Sequence, residues 1–520
     1  MDPVPLIFSC DTEDYETPAS DDAELLWAQL FTRHGIRACF CVVGEEARAL
    51  RDRGRGDVLA TLAQHEVASH SNRHSAHPTP AEYLEGLSWD EGVQRFLADE
   101  APCVRDLHDL LGQQPSAWCK PGNSWGPVVP YAASLLGMPV FCDAPFEWRP
   151  GQPMWYASGP LPGSAGPSTG AAGGLLLRYH ISFDRYFRVP DAERFEHMRS
   201  DFEALLAARQ TEAEQDGRPP GVIIMYTHPC RTVTAAFPDN FTAGKNPPRA
   251  EWRPAPLRPQ SEVAALVRDF DAFLRWIVEL RASGRIVLTT YREVYDHYRQ
   301  PASISLDIRH VVGLADALAE DGAPIEPRKA AGHWLSPAEQ YGVLAWALAQ
   351  AALSDALPPA VPVRPLLGPL DEGCGSAASA PAAADRHRDA VPLATEASGR
   401  PPAAPAGAPL TLGAVQLGAV LASWHCARHG AIPAEAMLPG GGGPGRALRL
   451  LARATSTLAA GADRQAALAE PAGAEETVLA QREDFQKLRF QGTWSIFPPG
   501  FRGERLVEQA RRQTWSAKPA

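Results

Sequence analysis

With 520 residues the chain exceeds what a single hydrophobic core organises, so two or three domains are expected. A formal net charge of -12 excludes a general grip on nucleic-acid phosphates, which needs a basic surface. Nine cysteines, scattered singly except for Cys39 and Cys41, make neither a disulfide framework nor a zinc knuckle. The start carries no export signal, and no run of about 18 apolar residues offers a membrane span, so the chain reads as a cytoplasmic protein with reduced thiols.

In chain order, "PLIFSC", "RACFCVVG", "HEVASH", "PSAWC", "MPVFC", "LLLRYHI", "GVIIMYTH" and "RIVLTT" are predicted strands, short apolar runs rich in β-branched residues. Between them "DDAELLWAQLFTRHG", "EYLEGLSWDEGVQRFLADEAPCVRDLHDLLG" and "SEVAALVRDFDAFLRWIVELRASG" are predicted helices. The last spaces Val263, Leu266, Phe270, Phe273 and Leu274 along one face and ends on Gly284 as a C-cap. Strand followed by helix, repeated over residues 1–300 with polar residues gathered after the strands, predicts an α/β fold, a parallel barrel whose working face is the strand C-termini.

Beyond residue 300 the chain becomes Ala/Pro-rich and mostly helical. Residues 301–370 read as a small helical region, 371–409 as a flexible linker, and 410–520 as a second small helical region. "WLSPAEQYGVLAWALAQAALSDALP" and "PLTLGAVQLGAVLASWHCARHGAIP" read as a repeat, in which Ala338, Gln340 and Gly342 recur as Ala414, Gln416 and Gly418. These helices carry no chemistry of their own; they read as packing on each other or docking on a protein or cell-wall partner.

The chemistry gathers at two strand ends. After the first strand, Asp11, Glu13 and Asp14 crowd together, and like charges that close call for a cation or a proton-transfer task. Strand alternation sends Asp11 and Glu13 one way and Asp14 the other, unless the chain has already turned. After the third strand His70 and His74 stand at a spacing that puts two imidazoles on one side of a helical turn. Two histidines and a carboxylate at strand ends are the donor set of a single-cation site on a barrel rim. Trp118, Trp125, Phe146, Trp148, Trp155 and Tyr156 lie near that rim in sequence and are candidates to line a saccharide groove.

The order "FSCDTEDY", "HEVASHSNRH", "WCKPGNS", "IIMYTHP" resembles the polysaccharide deacetylase family, the carbohydrate esterases of family 4 with a NodB-homology domain. The likeness spans residues 4–300. It implies a distorted parallel (β/α) barrel that removes acetyl groups from N-acetylated saccharides with one divalent ion, zinc in first place and cobalt, nickel or manganese as alternatives. It casts Asp11 as general base, His228 as the acid that protonates the leaving amine, and His70, His74 and either Glu13 or Asp14 as metal ligands. Lys120, Pro121 and Trp125 are expected on the substrate side. The third motif departs from the family: Cys119 stands where an arginine normally steadies the base, and Lys120 beside it is a candidate point-charge substitute. Two other readings follow from the same residues, a hydrolase of another non-peptide C–N bond and an inactive carbohydrate-binding scaffold.

Overall fold

β1 (Val4–Thr12) is buried on both faces along almost its whole length, the environment of a central parallel strand rather than an alternating edge. The computed structural model describes residues 2–160, 171–237, 248–299, 301, 303–370, 410–435, 437–488 and 497–520. After β1 come β2 (Cys39–Val42), β3 (Glu66–Ser69), β4 (Ala117–Cys119), β5 (Val140–Cys142), β6 (Met154–Pro160), β7 (Ala171–Leu177), β8 (Ile181–Ser182), β9 (Ile223–Thr227) and β10 (Ile286–Leu288). The region beyond adds β11 (Ile304–Asp307), β12 (Arg328–Ala330), β13 (His333–Leu335), β14 (Ala360–Val363) and β15 (Lys518–Pro519).

One curled sheet runs β15-β6-β7-β5-β4-β3-β2-β1-β9-β8, with β10 also on β1. Its neighbours are parallel except where β6 meets β7 and β15. β8 and β15 end the order without pairing to each other, so the structure is an incomplete, distorted (β/α) barrel, as the sequence predicts.

The predicted helices form, with adjustments that have local causes. The first runs Pro18–Arg33 and the last Gln260–Ala282, where Leu266, Phe270, Phe273 and Leu274 are buried. The long middle helix is two, Pro80–Leu84 and Trp89–Leu111, because Ser88 starts a fresh capping box with Glu91. A 26-residue helix, Asp191–Asp216, has no counterpart among the predicted elements. Its buried stripe alternates Arg194, Met198, Phe202, Leu206 and Arg209, too few apolar side chains to register as an amphipathic face.

The region after residue 300 is not a detached tail. Helices Ile308–Ala319, Pro337–Ser354, Leu412–His429 and Pro444–Ala459 share one core that includes Leu314, Leu344, Leu348, Val415, Leu448 and Leu451. The repeat-bearing helices pack on each other and are both 18 residues long. Both matched glycines are contact points: a Cβ at Gly342 would lie 2.4 Å from Leu366, and one at Gly418 2.6 Å from Leu438. The linker expected at 371–409 lies outside the described residues. No helix among the described residues is long and apolar enough to cross a membrane.

This region also covers one face of the barrel. β15 extends the sheet beside β6, and Phe485, Leu506, Ala510 and Ala517 join a core with Trp118, Trp125, Phe146 and Tyr156. The expected saccharide groove is therefore not built from those aromatics: Trp118, Trp125 and Tyr156 are fully buried, Phe146 and Trp155 nearly so, and Trp148 packs against the same core. A large ring gains more from burial against a second apolar surface than from standing at a wet rim.

Candidate metal and acid–base site

Asp11 closes β1 beside Cys41 of β2 and is buried, while Glu13 follows as the strand ends. Glu13 Oε2 lies 3.1 Å from His70 Nε2 and 2.9 Å from His74 Nε2. Of the two acids left open as ligands, Glu13 stands with the histidines and Asp14, against the expectation that included it, does not. The chain turns away after Glu13, and Asp14 accepts from Ser20 Oγ at 2.7 Å and from the Thr17 backbone N–H at 3.0 Å. Asp14 anchors the start of the helix Pro18–Arg33.

His70 and His74 do not sit on a helical turn. They lie in the loop after β3, and the side chains converge because Ser71 and His74 adopt left-handed backbone, with φ of 67° and 47°. Ser71 Oγ holds the loop by accepting from the His74 backbone N–H at 3.0 Å. His70 Nδ1 donates to the Cys119 carbonyl at 3.2 Å, which turns Nε2 toward Glu13. His74 Nδ1 lies 2.6 Å from Ser75 Oγ, so both rings turn Nε2 inward. Two imidazole nitrogens and one carboxylate oxygen, within 4.8 Å of one another, suit a first-row dication such as zinc. Burial pushes Glu13 up, but His74, His228 and His70 outweigh it and hold the carboxyl well below the usual range. A second group of donors, Asp11, His70 and Cys119, meets the same spacing.

His228 follows β9, and its Nε2 stands 3.8 Å from Asp11 Oδ2 and 4.0 Å from Glu13 Oε1. Its other nitrogen donates to Asp184 Oδ2 at 2.6 Å, while Asp184 Oδ1 accepts from the His228 backbone N–H and from Thr227 Oγ1. Burial draws the imidazolium down, but Asp184, Glu13 and Asp11 outweigh it and push it up to about 10. Asp184 has no place among the sequence-derived candidates; a lone acid in "ISFDRYF" gives no local signal, since its partner is 44 residues away.

Lys120 is not the substitute for a cation beside Asp11. Its ammonium bonds Asp143 and donates to the Gly122 carbonyl at 2.6 Å. Asp11 Oδ1 instead meets the Tyr179 hydroxyl at 2.9 Å and the Cys119 thiol at 3.8 Å. Trp125, expected on the substrate side, is fully buried among Phe141 and Phe146, and Pro121 is buried as well. Nearer to His228 are Phe237, whose ring lies 5.0 Å from the imidazole, and Arg231 stacked on Phe237.

No protein-family model and no curated protein matches the chain. Solved structures similar to it include a probable polysaccharide deacetylase from Pseudomonas aeruginosa PAO1, at 14% identity and TM-score 0.37, over 57% of this chain and 93% of that one. Puue allantoinase aligns at 14% identity and TM-score 0.36, over 57% of this chain and 92% of that one. A family 4 pseudoenzyme from Bacillus anthracis, BA3943, aligns at 12% identity and TM-score 0.28, over 56% of this chain and 70% of that one.

Proposed function

We propose that the protein is a divalent-metal-dependent hydrolase that removes the acetyl group from the nitrogen of an amino sugar, free or within a glycan. One observation carries this reading: Glu13 Oε2 meets His70 and His74 at 3.1 and 2.9 Å, while Asp11, on the same strand, stays outside that trio and faces His228 at 3.8 Å. A ligand set with a separate carboxylate and a separate imidazole beside it is what hydrolysis of a neutral amide needs.

Glu13, His70 and His74 would hold the ion. When bound, a dication there supplies Lewis-acid polarisation of the acetyl carbonyl and lowers the pKa of a coordinated water, from 15.7 to about 7 in favourable sites. Asp11 accepts the water proton at a carboxylate oxygen. His228, kept protonated through neutral pH by Asp184, gives a proton to the departing nitrogen, so the amine leaves neutral. Asp184 also fixes the ring so that Nε2, rather than Nδ1, points at the reacting atoms.

Acetate release from N-acetylglucosamine oligomers by zinc-loaded protein, lost with a chelator and restored with zinc, is the expected result. A panel with a cyclic ureide and a simple acetamide tests the wider C–N hydrolase reading. Protein that binds stoichiometric zinc yet turns over none of these substrates would overturn the proposal in favour of a binding scaffold.

A further inference from the structure

Tyr179 is absent from the sequence-derived candidates and lies at the centre of the bonding around Asp11. Leu175, Leu177 and Tyr179 alternate onto the same inner core as the chain leaves β7. The Tyr179 hydroxyl is 2.9 Å from Asp11 Oδ1, 2.9 Å from Ser9 Oγ and 3.0 Å from Cys119 Sγ. A phenol has one proton and two acceptor sites, and an ionised carboxylate only accepts. The Tyr179 proton therefore goes to Asp11, and the phenol oxygen can accept from the Ser9 hydroxyl. The Cys119 thiol stands against both the phenol oxygen and Asp11 Oδ1, at 3.0 and 3.8 Å, and the Cys41 thiol lies 3.9 Å from the same phenol.

The ring cannot swing away, because it stacks on Tyr226 with centroids 4.4 Å apart and planes 22° apart. Ser9 and Asp11 share a face of β1, and Tyr226 is the register partner of Ser9 on β9. The two oxygens of Asp11 thus have different surroundings. Oδ1 is tied to Tyr179, while Oδ2 is turned toward His228 Nε2.

We infer that Tyr179 is the positioning residue for Asp11: bonded to Oδ1 and oriented by Ser9 and Cys119, it holds the carboxylate so that Oδ2 alone takes the proton from water. This rests on the deacetylase reading above. In the step itself, one O–H bond of water breaks and one Asp11 Oδ2–H bond forms; the electron pair left on the water oxygen forms the bond to the acetyl carbon as the C=O π bond breaks and its pair moves onto the carbonyl oxygen. The Tyr179 proton stays on Tyr179 throughout.

The test is Tyr179→Phe, which keeps the ring and its stacking and removes only the hydroxyl, measured beside Ser9→Ala, Asp11→Asn and the wild type in zinc-loaded form. Tyr179→Phe is expected to lower kcat about 10- to 100-fold, with KM and bound zinc within about twofold of wild type. Ser9→Ala, which removes one donor to the phenol oxygen, is expected to lower kcat less, by about 3- to 10-fold, and carries the test alone if the tyrosine variant does not fold. Wild-type kcat in both variants, or a change confined to KM or zinc content, would overturn the positioning role while Asp11→Asn remains inactive. Turnover retained in Asp11→Asn would overturn the base assignment itself, and a wild type that releases no acetate overturns both.

Discussion

The barrel rim and the helical region that follows it both bury charge, and they do so in opposite ways. In the helical region the charge is closed off: Lys518 meets both oxygens of Glu339 at 2.7 and 2.9 Å, each side chain about 5% exposed, and Arg449 donates to the carbonyls of Ala474 and Ala323. At the rim Asp11, Glu13, His70, His74 and His228 face a common space, and Glu13 is within 4.0 Å of all three imidazoles. A one-to-one pair is a structural solution, because each charge is neutralised by its partner and desolvation is offset locally. A gathering of donors that outnumber their partners is costly unless something else completes it, which is why it points to chemistry.

The largest expected effect breaks the rim. Asp11→Asn should lower acetate release by about 10²- to 10⁴-fold while zinc content, read by metal analysis, stays at the wild-type level. His70→Ala, by contrast, should lose bound zinc after gel filtration and turnover with it, separating ligand from base on one measurement. In the helical region the same kind of cut should act on stability alone. Lys518→Met leaves Glu339 buried without its counter-charge, at a cost of about 3–5 kcal/mol, seen as a lower midpoint in urea with unchanged kcat for the folded fraction. Adding Glu339→Gln, which keeps the cap to Ser336, should recover more than half of that loss. Recovery of nothing would mean that the lysine stem, not the charge, is what matters.

The smallest effect sharpens the comparison through an exception. Glu46 is fully buried in the helix Gly44–Asp52 of the barrel, and neither of its carboxylate oxygens has a hydrogen-bond partner. Burial first, and then Asp21, push it up to about 8 from its ordinary value of 4.5, against the pull of Arg53. The folded protein therefore holds a proton that the unfolded chain has released between those two values, so stability falls as pH rises across that window. Glu46→Gln should flatten this slope, stabilising the protein at pH 8 by on the order of 1–2 kcal/mol and far less at pH 5, as read by thermal unfolding at both. A slope unchanged in the variant would place the titrating group elsewhere, with Glu24, buried beside it and also pushed up, next in line.

Much of the barrel is legible from periodicity, because strands such as β1, β2 and β9 are buried on both faces and read as uninterrupted apolar runs. β6 is not, since "MWYASGP" mixes small and polar residues with the aromatics and pairs antiparallel to β7 with a register shift. Of the site, the acids after β1 and the histidines after β3 are visible as local clusters. Tyr179 and Asp184 are not: each is a single polar residue whose partner lies more than 40 positions away, at 168 for Tyr179 with Asp11 and 44 for Asp184 with His228.

The amino-acid order alone determined the alternation of strand and helix and the clusters of acids after β1 and histidines after β3, because hydrophobic period and residue type are properties of short stretches. Only the tertiary structure decided which acid joins the histidines, which hydroxyl bonds Asp11, and that the aromatics face a covering region rather than solvent. Those outcomes depend on a left-handed turn at Ser71, a chain reversal after Glu13 and the docking of β15, each a distance between parts of the chain that no local pattern encodes.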